Sequence, residues 1–164
     1  MTFIHNVVSN NNEKSNFLYS KDGDYGSIYV DADGISEKMN TVYRRSFRNS
    51  SILQDSVRLD DVLDLPQIHR FKKVLLKIDV NGLEHRVLLG ATEFFKRLDI
   101  HGIVMKWEWH KYRSTGDIIK SFMTQRNFTP FKMNETSEMI LHTESSNFWP
   151  QYVLWRPRYL YNIY

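Results

Sequence analysis

Two acids each stand at the end of an apolar run. Asp79 follows Val74-Leu75-Leu76-Lys77-Ile78, and Glu108 follows Gly102-Ile103-Val104-Met105-Lys106-Trp107. A carboxylate that closes a buried strand needs a partner, because an ionised group withdrawn from water is costly. If the two runs are neighbouring parallel strands ~4.8 Å apart, both acids lie on the carboxyl edge of one sheet. Open α/β folds bind their ligands at that edge. Such a pair can orient a substrate hydroxyl, act as a general base or hold a metal. The structural alternative is that each acid pairs with a nearby lysine or caps a neighbouring loop.

Other residue types offer less. Asn81-Gly82-Leu83-Glu84 reads as a capping box, with Asn81 as N-cap and Glu84 reaching back to its amide. Lys77, inside an apolar run, reads as an ion-pair partner whose stem packs in the sheet. His5, His69, His85, His101, His110 and His142 are scattered without metal-ligand spacing, so no metal site is assigned to them. The chain has no cysteine, which excludes disulfides, thiolate metal sites and a cysteine nucleophile.

The elements that must position the two acids follow from periodicity. Val74 to Val80 is nearly continuous in apolar residues, the pattern of a strand covered on both faces. Glu84 to Leu98 is helical: Val87, Leu88, Ala91, Phe94, Phe95 and Leu98 share one face, and His85, Arg86, Glu93, Lys96 and Arg97 the other. Gly102 to Trp109 is the next strand, which makes a right-handed parallel strand-helix-strand unit. A second helix is predicted from Thr115, as its cap, to about Asn127. Strands are predicted at Phe128–Phe131, Met139–Leu141 and Tyr152–Trp155. Upstream, Phe3 to Val8 reads as a strand, and Phe17–Tyr19 with Ser27–Val30 as a hairpin. Residues 31–51 are the least regular, and order returns at Ile52, with a strand ending at Leu59 and Asp60-Asp61 opening a helix.

The 164 residues suffice for one domain, 1–164, with its own core. With 41% hydrophobic and 25% charged residues the balance is that of a globular chain. The net charge is +3, with acids and bases interleaved rather than gathered, so no nucleic-acid partner is expected. No apolar run reaches the ~20 residues of a membrane span, and no signal peptide is recognisable at Met1–Asn6; a cytoplasmic location is the default expectation. The basic, aromatic tail (Trp149, Tyr152, Trp155, Arg156, Arg158, Tyr159, Tyr161) suits a single-strand nucleic-acid platform, but a terminal strand packed on the core with surface arginines accounts for it as well.

Two segments resemble the FkbM family of S-adenosylmethionine-dependent methyltransferases. One is Val57-Arg58-Leu59-Asp60-Asp61-Val62-Leu63. The other, more specific, is Leu76-Lys77-Ile78-Asp79-Val80-Asn81-Gly82-Leu83-Glu84 followed by Val87-Leu88-Leu89-Gly90-Ala91. The family shows Leu-Lys-Ile-Asp-Val-Glu-Gly, one variable residue and Glu, then a helix ending Leu-x-Gly-Ala. The strand that ends at Glu108 and a short match at Asn6–Ser9 extend the resemblance over most of the chain. Asn81 stands where the family has a glutamate.

The resemblance implies a Rossmann-like α/β fold, a class I methyltransferase sheet that ends in an antiparallel β pair. It implies S-adenosylmethionine as cofactor, and transfer to a hydroxyl on a sugar or other small molecule. Asp79 and Glu108 would border the reaction site, Glu84 would support the start of the helix, and the Ser9-Asn10 turn would lie near the adenine. Against this, no Gly-x-Gly turn occurs near a strand-to-helix junction. Phe3–Val8 aligns with the family's third strand, so the sheet is expected to be truncated at its N-terminal side and the isolated chain to show little or no transfer. A non-catalytic interaction module derived from the fold is the first alternative, and a single-strand nucleic-acid binder the second.

Overall fold

The computed structural model describes residues 7–12, 14–19, 28–30, 51–133 and 138–160. Along the chain the strands are β1 (Val7–Ser9), β2 (Lys14–Tyr19), β3 (Ile28–Val30), β4 (Ser51–Arg58), β5 (Lys73–Ile78), β6 (Asp99–Lys106), β7 (Phe128–Met133), β8 (Glu138–Ile140) and β9 (Tyr152–Pro157). The helices are α1 (Glu84–Leu89), α2 (Thr92–Arg97) and α3 (Ser114–Thr124), with short 3-10 segments besides. The chain is a mixed α/β fold with few helices.

Two sheets form. The first has the order β1-β4-β2-β3 and the second β5-β6-β9-β7-β8. In the second, β5 and β6 are parallel, while β9 runs antiparallel to both β6 and β7. Strands β6 and β7 therefore point the same way with β9 inserted between them. The predicted parallel strand-helix-strand unit and the closing antiparallel strands are both present. The hairpin pairing of β2 with β3 is present too, although its turn lies outside the described residues. Most of the strand expected at Phe3–Val8 and nearly all of residues 31–51 also lie outside them. Strand β1 joins β4 in a sheet of its own and does not extend the one that carries Asp79.

The single helix predicted from Glu84 to Leu98 is two helices, broken at Gly90-Ala91. The break has a packing cause. Gly90 backs directly onto the Ser9 carbonyl oxygen, where a Cβ would collide, and that Cβ would also lie 3.0 Å from the Asn10 Cα. Asp60 then fixes both sides of the break. Its N–H donates to the Gly90 carbonyl at 2.9 Å. Its carboxylate accepts from the Phe94 N–H at 2.7 Å, which satisfies a donor in the first turn of α2. The apolar face reads as predicted: Val87, Leu88, Ala91 and Phe94 are buried, and Phe95 and Leu98 pack beside them.

Strand β5 departs from the prediction that both its faces are covered. It is the end strand of its sheet, and its outward residues are open, with Leu75 78% exposed. The Lys77 side chain is 68% exposed, so its stem is not packed in the sheet. Val74, Leu76 and Ile78 face the core instead. An apolar run does not distinguish one covered face from two when a leucine sits on the open side.

The core joins Leu88 of α1, Ile103 and Met105 of β6, Ile119 and Met123 of α3, and Val153 and Trp155 of β9. Trp107, Trp149 and Trp155 run through it in tilted and edge-to-face contact, with successive ring centroids 4.7 and 5.7 Å apart. The indole N–H of Trp107 donates to the Ser146 carbonyl at 2.7 Å, and that of Trp149 to the His142 carbonyl at 3.0 Å. Trp149 and Trp155 of the aromatic tail are thus core, whereas Tyr159 is exposed. Among the described residues no helix is long and apolar enough to cross a membrane.

Candidate active site

The carboxyl ends of β5 and β6 and the start of β9 meet around Asp79. Register explains how. Ile78 pairs with Met105 in the parallel ladder, and Lys106 pairs with Tyr152 in the antiparallel one. One step past Ile78, Asp79 comes level with both. The Tyr152 hydroxyl donates to Asp79 Oδ2 at 2.8 Å. Lys106 Nζ lies 3.4 Å from Asp79 Oδ1, and Lys77 Nζ 3.6 Å from Oδ2. The edge is pinned by the Trp107 N–H, which donates to the Gln151 carbonyl at 2.6 Å.

The electrostatics follow from this geometry. Burial alone would raise the Asp79 carboxyl. The Tyr152 hydroxyl and the Lys106 ammonium outweigh it and hold Asp79 below the usual carboxylate value. For Lys106, burial works downward, and the neighbouring Asp79 more than reverses it, so the ammonium is held protonated above its ordinary value. The Tyr152 phenol is raised, because Asp79 accepts the proton it would have to lose.

Glu108 does not end the strand. Strand β6 stops at Lys106, and Glu108 opens a 3-10 turn (Glu108–His110) where its side chain is exposed. Its Oε2 accepts from Gln151 Nε2 at 3.3 Å. Its charge nevertheless reaches Lys106 and Tyr152 and acts on both in the same sense as Asp79.

Asn81 and Glu84 do not form a capping box. Asn81 (φ 52°) and Gly82 (φ 97°) are successive left-handed residues that turn the chain out of β5. Asparagine and glycine are the residues that reach this region most readily. Asn81 Oδ1 accepts from Lys106 Nζ at 3.4 Å, so it faces the Asp79 cluster. A Cβ on Gly82 would sit 3.3 Å from the Trp109 Cβ.

Glu84 is fully buried. Its Oε1 accepts from the Val80 N–H at 3.1 Å, and its Oε2 lies 2.7 Å from His110 Nε2, with both side chains wholly inaccessible. The other imidazole nitrogen, Nδ1, is 2.9 Å from Thr115 Oγ1. Thr115 is therefore not the cap of α3. That helix begins at Ser114 after Arg113, without a side-chain cap. The chain Val80–Glu84–His110–Thr115 ties the turn after β5 to the start of α3.

Tyr152, Lys106 and His110 were not singled out as site residues by the sequence. Tyr152 and Lys106 become visible once the β6–β9 register is known, and His110 only through its contact with a residue 26 positions away. His85, beside His110 with ring centroids 6.0 Å apart, is lowered by burial and then by the charge of His110. Ser9 and Asn10 lie elsewhere, against Gly90 at the C-terminal end of α1. Among the described residues no group of three or more metal-ligating side chains occurs.

Comparison with curated proteins and with solved structures gives no significant match. The family model for the FkbM methyltransferase domain matches residues 2–130. That span holds Asp79, Glu84, Lys106 and His110, while Tyr152 lies beyond it. Because the match takes in most of the chain and the motif that carries Asp79, this protein belongs to the FkbM methyltransferase domain family.

Proposed function

We propose that this chain is a methyltransferase-like domain of FkbM type whose acceptor edge is built around Asp79. The observation that carries the reading is the Tyr152 hydroxyl donating to Asp79 at the carboxyl end of a parallel strand. Asp79 already accepts from one hydroxyl, and a substrate hydroxyl exchanged for the phenol would meet the same acceptor. Membership of the family makes S-adenosylmethionine the expected methyl donor, and a sugar or small-molecule hydroxyl the expected acceptor. Glu108 would border the same edge.

The described residues do not fit as a cradle for that cofactor. No Gly-x-Gly turn occurs anywhere in the sequence. Ser9 and Asn10 pack at one end of α1 while Asp79 precedes the other, and six helical residues span roughly 9 Å. The Ser9 hydroxyl is directed to Asn10 Oδ1 at 3.2 Å. No transfer step is therefore assigned to these residues, and the chain alone is expected to transfer little or nothing. The test is tritiated-methyl transfer to a panel of sugars and small alcohols, with calorimetric titration of the cofactor. Turnover accompanied by tight cofactor binding overturns the reading.

A non-catalytic interaction module is the second reading. It is favoured by the full set of partners that Asp79 already has and by Asn81 in place of the family's glutamate. Cofactor binding gained when the cofactor-binding part of another FkbM enzyme is added in trans separates the two, because only the acceptor-edge reading predicts it.

A further inference from the structure

We propose that the amino end of the five-stranded sheet, opposite the Asp79 edge, is a binding surface for single-stranded nucleic acid. Two open grooves meet there. One, of about 510 Å³, is lined by His69, Phe71, Lys72, Arg97 and Asp99 among others. The other, of about 480 Å³, is lined by Lys73, Leu75, His101, Arg156 and others. They share a rim, because Lys73 is paired with Asp99 in the parallel ladder and the Asp99 N–H donates to the Lys72 carbonyl at 2.9 Å. The fold thus gathers on one face cations that are scattered along the sequence, including Arg156 from the tail.

Among the described residues Asp99 is the only acid lining either groove. Its two oxygens are already engaged, one by the Tyr159 hydroxyl and the other by His101 Nε2 at 2.7 Å. Lys72, Lys73 and Arg97 make no close ion pair among the described residues. Apolar surface interleaves with these cations: Phe71 is 49% exposed, Leu75 78% and Tyr159 53%. The Arg70 guanidinium stands 5.6 Å from the Phe71 ring centroid. Cations for phosphates beside exposed rings for bases is the arrangement single strands require. A sulfated polymer would use the cations alone. This surface does not depend on the methyltransferase reading.

Fluorescence anisotropy with a labelled oligothymidylate about 15 nucleotides long tests it. Binding is expected at about 50 mM salt, and log K should fall with log salt at a slope of roughly −2 to −3, the release expected for three or four phosphate contacts. Lys72→Glu should weaken binding about tenfold and flatten that slope by roughly one contact. Phe71→Ala should weaken it about tenfold with the slope unchanged. Lys132→Ala, a cation on β7, should leave binding as it was. Circular dichroism of each variant confirms that these exposed substitutions leave the fold intact. No binding at low salt, or wild-type binding by Lys72→Glu, overturns the proposal. So does heparin-fragment binding equal to that of the oligonucleotide and indifferent to Phe71→Ala.

Discussion

Glu84 and His110 meet 2.7 Å apart with neither side chain reaching solvent. A pair buried this deeply survives only when its remaining hydrogen-bonding capacity is satisfied. Here the Val80 N–H and Thr115 Oγ1 do so. The pair connects the turn that follows Asp79 with the start of α3, and so couples the site's geometry to the helix that flanks β7. Glu84→Ala leaves the buried His110 Nε2 and the Val80 N–H without their partner. A loss of about 3–5 kcal/mol is expected, read as the denaturant midpoint at constant slope. Glu84→Gln, which can still accept from His110, should lose less. Equal losses for the two variants would contradict this, because the stabilisation would then rest on the carboxylate charge and not on the retained contact.

Asp60 holds the break between α1 and α2 from 34 residues upstream. Removing its side chain in Asp60→Ala should cost about 1–2 kcal/mol, the usual loss for an N-terminal capping side chain. Gly90→Ala should cost about 1–3 kcal/mol, because the new methyl meets the Ser9 backbone rather than a movable side chain. Gly102→Ala is the control, since there the nearest atom, at 3.3 Å, is the tip of the exposed Leu75 side chain, which can turn away. Chemical denaturation of the three variants should rank Gly102→Ala as the mildest.

Acid should destabilise the chain in two stages. His85 titrates lower when folded, chiefly through burial, so the unfolded chain binds the extra proton first. Stability should begin to fall as pH drops below the ordinary histidine value of 6.5. Asp79, lowered by Tyr152 and Lys106 against burial, and Asp61, lowered first by its hydrogen bond from Arg58, contribute stability that is complete above the ordinary value of 3.8 and vanishes as pH falls through their folded values. At the alkaline end the sign reverses. Tyr159 is pushed up to about 12 by its hydrogen bond to Asp99, so its contribution is full below the ordinary 10.0 and is lost as pH rises toward 12. Thermal melts from pH 3 to pH 11 (a range set by roughly these ordinary values) should show this profile, and a His85→Gln variant should lose the first acid stage.

The motif around Asp79 was readable because strand, turn and helix are adjacent in sequence there. Its surroundings were not, because they come from pairing. Tyr152 reaches Asp79 from 73 residues away through the register of an antiparallel ladder. Glu84 looked like a local capping residue because Asn81 stands three positions before it. The left-handed turn at Asn81-Gly82 instead directs Asn81 to Lys106 and frees Glu84 to turn inward to His110. The helix break at Gly90 was hidden for a similar reason: the apolar period continues through it, and only contact with Ser9 and Asp60 interrupts the hydrogen bonds. Strand β5 read as doubly covered because Leu75 is apolar, whereas coverage depends on which elements lie over each face.

The proposed acceptor edge depends on Asp79 being held ionised there by Tyr152 and Lys106. The direct measurement is a carbon-detected NMR titration of the Asp79 side-chain carboxyl in the wild-type chain and in Tyr152→Phe. The expected result is a wild-type midpoint below the ordinary 3.8 that moves upward when the phenol hydroxyl is removed. A midpoint at or above that value, unmoved by Tyr152→Phe, would contradict it.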